Sequence, residues 1–114
     1  MKSLQGEGYQ VELDDADNRV SLRGSLRLGG LTEYAPISQL LDEALEGRSS
    51  LTVDLSGLEF LNSSGIATLS RFVISARNRK DCALVIRGSS TIPWQGKSLN
   101  NLKRLMPALE LNFD

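Results

Sequence analysis

The chain contains no histidine. The commonest general base and the commonest metal ligand are therefore missing, and zinc sites of the Cys/His kind are excluded. There is one cysteine, Cys82, so no internal disulfide can form. It lies in the apolar stretch DCALVI, where a buried small hydrophobe is the expectation. The net charge is −1, and the densest basic group is only Arg77, Arg79 and Lys80. A phosphate-neutralising surface for nucleic acid is not expected. No apolar run approaches the roughly 18 residues that cross a bilayer, so direct membrane insertion is not expected either. The stretch MKSLQGEGYQVELDD lacks the apolar region of a signal peptide, which makes the cytoplasm the expected location. No G-x-x-x-x-G-K-[ST], G-x-G-x-x-G or G-x-S-x-G pattern occurs.

What is present is ordinary globular composition. The 114 residues are 40% hydrophobic and 24% charged, which suits one domain with one core spanning residues 1–114. Tyr9–Leu13 and Arg19–Leu26 alternate around the turn DDADN and predict a hairpin. The acids Glu12, Asp14, Asp15 and Asp17 lack the glycine and distal glutamate of a calcium loop, so a solvated turn is expected. After Gly29-Gly30, Thr32 resembles an N-cap, with Pro36 in the first turn and apolar residues at helical spacing through Leu45. Gly47 suits the stop.

Leu51–Leu55 predicts a strand, and Leu58, Phe60 and Leu61 carry apolar weight through a following turn. Ile66, Leu69, Phe72, Val73 and Ala76 predict a second helix over Ser64–Arg79. Ala83–Ile86 reads as a buried strand. A third helix is expected from Pro93 to Met106, stopped by Pro107, and Leu109–Phe113 reads as a last strand. Trp94 is open to two readings, an exposed anchor for a partner or a side chain packed over the edge of the core. Strands alternating with helices predict a single α/β domain. Its sheet is mixed and mostly parallel, with four to five strands and helices packed against it.

The turn Asn62-Ser63-Ser64-Gly65 lies between a strand and a helix start, where free N–H groups and the positive dipole end gather. In the simplest reading Asn62 or Ser63 caps the helix and Gly65 allows close packing. A second is anion binding, which lacks a nucleotide motif. A third is phosphorylation of Ser63, which adds nearly two negative charges at a partner-facing helix end. A nucleophilic serine fails, because no histidine exists to activate it.

The segment VDLSGLEFLNSSGIATL resembles the signature of STAS domains of the anti-sigma factor antagonist family, D-L-S/T-x-V-x-F-[LIM]-D-S-S-G-[LIV]. Asp54-Leu55-Ser56, Phe60, Ser63-Ser64-Gly65 and Ile66 match as they stand. The chain departs from the pattern at Asn62, where the family has Asp, and after Gly24-Ser25-Leu26, where the family's acid is absent. The resemblance implies a divergent STAS-like domain that is not an enzyme and needs no cofactor. It implies Ser63, with Ser64 second, as the serine phosphorylated by a partner kinase that is also the anti-sigma factor and reset by a phosphatase. Such a partner switch acts in signal transduction and transcription regulation. The alternative is a constitutive STAS scaffold subunit of a larger complex, for example a lipid-transport ATPase. The partner surface expected is Asn62, Ser63, Ser64 and Gly65, followed by the stripe Thr68, Arg71 and Ser75 opposite the apolar face of the helix.

Overall fold

The computed structural model describes residues 2–114. The elements run β1 (Lys2–Gly6), β2 (Tyr9–Asp14), β3 (Arg19–Leu26), α1 (Leu31–Leu45), β4 (Ser50–Leu61), α2 (Ser63–Arg79), β5 (Ala83–Gly88), α3 (Gln95–Leu105) and β6 (Glu110–Phe113). The strands form one sheet in sequence order. β1, β2 and β3 pair antiparallel, and β3 through β6 pair parallel. The α/β class and the mixed, mostly parallel sheet agree with the sequence reading. The strand number does not, because β1 makes a sixth. KSLQG turns only Leu4 against the core and so carries almost no periodic signal.

All three helices cover one face. Val11, Leu13, Val20, Leu22, Leu51, Val53, Leu84 and Ile86 point into the core they share with α1, α2 and α3. The other face alternates in polar residues, with Ser21 beside Asp54 and Asp54 beside Arg87.

α1 begins two residues earlier than its sequence suggests. Gly30, at φ 96°, occupies the N-cap position and its carbonyl accepts the Tyr34 N–H. Thr32 is therefore inside the helix and caps nothing, and Pro36 falls in the second turn rather than the first. The missing proline N–H removes one bond on the exposed side of the helix, which tolerates it. Gly47, at φ 72°, ends the segment as expected.

β4 is the largest departure. It runs to Leu61, through the residues read as a turn. Its buried side chains step Leu51, Val53, Leu55, then Leu58 and Leu61, so the period of two gives way to three. The pairing with β3 slips at the same places, between Ser21 and Arg23 and between Gly24 and Ser25. Each slip is a β-bulge, one extra residue in β4 that hides the strand period. The Asp54 carboxylate shapes the first: its Oδ1 accepts from Ser56 N at 3.0 Å and from Ser56 Oγ at 2.6 Å. The Asp-Leu-Ser part of the motif thus has a structural role.

β5 pairs with β4 only as far as Asp54. The carbonyls beyond it are met by side chains from the start of α3. Gln95, fully buried, donates Nε2 to Leu55 O at 2.7 Å and Leu58 O at 3.0 Å, and accepts Ser89 N at 2.7 Å. Trp94 Nε1 donates to Leu58 O at 3.2 Å while its ring packs against the core. Of the two readings of Trp94, core packing is the one observed. Pro93 precedes α3 rather than opening it.

Candidate functional site

β4 delivers the chain to Asn62 at the carboxyl end of the parallel strands, where α2 begins. Asn62 is the N-cap, in extended backbone (φ −78°, ψ 176°), and its Oδ1 accepts the Gly65 N–H at 3.0 Å. The same oxygen accepts the Tyr34 hydroxyl at 2.7 Å, and Nδ2 donates to Leu28 O at 2.8 Å. One amide therefore joins the β3–α1 loop, the first turn of α1 and the cap of α2. The orientation is dictated by its neighbours: a backbone N–H requires the oxygen, and a carbonyl requires the nitrogen. An aspartate could keep the first two bonds, but its second oxygen would oppose the Leu28 carbonyl. This gives Asn62 a structural reason that is independent of any loss of regulation.

Ser63 is the first helical residue and is exposed. Among the described residues its hydroxyl makes no hydrogen bond. Ser64 is half-buried, and its carbonyl accepts Thr68 Oγ1 at 2.9 Å. Gly65 is buried and closely enclosed: a Cβ there would lie 2.1 Å from Leu61 Cδ1 and 2.8 Å from the Tyr34 hydroxyl, so both side chains would have to shift. Tyr34 is itself buried, and desolvation pushes its pKa up, with a backbone hydrogen bond from Leu28 acting the other way and the Tyr9 charge adding to the rise.

The expected stripe opposite the apolar face is displaced. Thr68 is only 4% exposed and lies at the floor of a groove between α1 and α2. The outer line of α2 is instead Ser63, Ala67, Arg71 and Ser75, all exposed at a spacing of four. Arg71 and Ser75 stay on the surface as read, Ser63 joins them, and Gly65 and Thr68 leave it.

The same end of the sheet carries the exposed large hydrophobics among the described residues. Leu31, Phe60 and Phe113 stand at the start of α1, the end of β4 and the end of β6. The Arg27 guanidinium stacks over the Phe60 ring at 4.6 Å. Apolar side chains set among an arginine and small hydroxyls have the composition of a protein-binding surface. Sequence reading missed Tyr34 and Leu28 as partners of Asn62. Tyr34 was legible only as one more core position of α1.

Among the described residues no group of His, Cys, Asp or Glu is placed to hold a metal ion, and no helix is long and apolar enough to cross a membrane. Cys82 is buried, as its sequence context implied, and burial pushes its thiol pKa up.

No curated protein matches the chain in sequence. Solved structures of SiaC from Pseudomonas aeruginosa share its fold. The apo protein aligns with TM-score 0.72 and 14% identity over 100% of this chain and 99% of that one. A chain of the structure described as the diguanylate cyclase SiaD in complex with its activator SiaC aligns with TM-score 0.71 and 12% identity over 100% of both. Another SiaC structure aligns with TM-score 0.65 and 16% identity over 99% and 96%. The family described as "Mlab, STAS domain" matches residues 9–111. The motif at Asp54–Ile66, the element order and this match agree, and the chain belongs to the STAS domain family.

Proposed function

We propose that this chain is a regulatory protein-binding module whose contact surface is the start of α2, and that phosphorylation of Ser63 switches it. The observation that carries the reading is the contrast between adjacent residues. Asn62 is held by three hydrogen bonds, while Ser63 beside it is exposed with an unengaged hydroxyl. A phosphate on Ser63 meets the positive end of α2 and is tolerated by the fold. It also places nearly two negative charges on a surface that carries Phe60 and Leu31, where a docked partner would have to desolvate them. The chain itself performs no chemistry in this reading. A serine kinase, of the anti-sigma factor kind, adds the phosphate and a phosphatase removes it. The SiaC structures offer a second class of partner, since SiaC is described as the activator of a diguanylate cyclase. In that form of the switch the chain sets the activity of an enzyme it binds.

The test is site-localised phosphopeptide mass spectrometry on the protein from its own cells, growing and stressed, combined with binding by Ser63 variants. Condition-dependent phosphate on Ser63 is expected, with Ser63→Ala locking the bound state and Ser63→Glu weakening it. Full coverage of the Asn62–Arg71 peptide without phosphate, and equal partner binding by both variants, would overturn the switch. That outcome leaves the second reading, a constitutive scaffold subunit of a larger complex.

A further inference from the structure

The groove between α1 and α2 has two unlike walls. Its floor is the buried Thr68, and the exposed Ala35 and Leu31, the latter at 46% exposure, line its edge. The α1 wall is acidic: Asp42, Glu43 and Glu46 line it. The α2 wall carries Arg71. The volume is about 420 Å³. Both helices start at the carboxyl end of the strands, so the groove runs away from the Ser63 end along α2.

The acids sit where the helix alone would not place them. Asp42 and Glu43 belong to the last turn of α1, Glu46 follows it, and that turn has no basic residue. Carboxylates at the negative end of a helix dipole are unfavourable. Glu43 is paired with Lys2, but Asp42 and Glu46 have no ion pair among the described residues. Partial burial raises the pKa of the Asp42 carboxyl, and Arg71 and Arg79 offset this only in part, while Glu46 adds to the rise. Charge that opposes its own helix and is incompletely matched within the fold stays available to a cation from outside.

We propose that this groove receives an amphipathic helix of the partner protein, with its apolar ridge on Leu31 and Ala35 and a Lys/Arg-rich flank against Asp42 and Glu46. The inference rests on the reading of the chain as a protein-binding module and names the chemistry of the partner. A helix is the element that fits between two helices, by ridge into groove. The acidic wall repels phosphate backbones and anionic lipid, which favours a protein. Arg71 opposite makes the groove directional, because only one flank of the incoming helix finds acids.

The experiment uses the full chain with the photoreactive residue p-benzoylphenylalanine at Ala35 or at Ala67, the latter reporting the Ser63 surface. Each protein is irradiated in extract of its source cells, and the crosslinked segment is sequenced. A segment from another protein, with apolar residues at helical spacing and a Lys/Arg flank, is expected from Ala35. In the Asp42→Asn, Glu46→Gln double variant its yield should fall about fivefold or more, with no loss of thermal stability. Crosslinks from Ala67 with none from Ala35 would overturn the groove while leaving the binding module intact. An acidic segment at Ala35, or a second copy of this chain, would overturn the occupant. Silence at both positions would overturn the binding module and the inference together.

Discussion

The Tyr34 hydroxyl, in the first turn of α1, donates to the Asn62 cap of α2 at 2.7 Å. The two helices that flank the candidate surface are thus joined by a neutral hydrogen bond inside the core. Tyr34→Phe removes it while Gly65 N–H still holds the cap, so the expected loss is about 1 kcal/mol in urea unfolding. The pH dependence has a definite sign. The folded pKa of Tyr34 is raised, first by burial, above the ordinary value of 10.0. The stability it contributes is complete below that value and lost as pH rises through the folded pKa. Wild type should therefore lose more stability than Tyr34→Phe above that pH; parallel curves would show that Tyr34 does not titrate in this way.

Substitutions at Asn62 should rank by hydrogen bonds retained. Asn62→Asp keeps the contacts to Gly65 and Tyr34 and opposes Leu28 O, for a loss of about 1 kcal/mol. Asn62→Ala leaves all three partners unmet, for a loss of about 3 kcal/mol. Equal midpoints for the two variants in chemical denaturation would contradict the contacts to Gly65 and Tyr34, and an Asn62→Asp midpoint equal to wild type would contradict the assignment of Nδ2 to Leu28.

A side chain at Gly65 requires Leu61 and Tyr34 to shift. The Cβ of Gly65→Ala would press on Leu61 and on the Tyr34 hydroxyl, with an expected cost of about 1–3 kcal/mol. Thermal denaturation reads this directly. An unchanged melting temperature would mean that Leu61 moves aside freely.

Gln95 tests the clip on β4. Gln95→Glu places a buried carboxylate against the carbonyls of Leu55 and Leu58. The variant should be destabilised by about 3 kcal/mol or more at neutral pH and should recover as pH falls and the carboxyl protonates. A loss of stability independent of pH would instead indicate a packing defect.

The Cys82 thiol, buried and with its pKa pushed up by that burial and by Asp81, should resist modification. At pH 8 the native protein is expected to react with a disulfide reagent at least about tenfold more slowly than the urea-unfolded chain. Comparable rates would show that the segment opens readily.

Legibility followed periodicity. α1, α2, β2, β3 and β5 announce themselves because their buried residues recur at helical or strand spacing. The second half of β4 is hidden by its two bulges, which change the step from two residues to three at Leu58 and Leu61. β1 is hidden because a hairpin edge needs only one inward residue, Leu4. At the site, the motif located Asn62 and Ser63, but Thr68 was placed on the wrong face. One residue of phase on a helix is about 100°, enough to carry a position from surface to core.

By itself, the sequence determined the α/β order, the family and the position of the helix start, because hydrophobic period and a local motif are encoded in neighbouring residues. The tertiary structure alone decided what surrounds that start. Leu28, Tyr34, Gln95 and Trp94 reach the motif strand and its cap from 28 to 40 residues away in the chain. Only folding brings those donors and acceptors within hydrogen-bonding distance, and only folding sets the acids of α1 across a groove from Arg71.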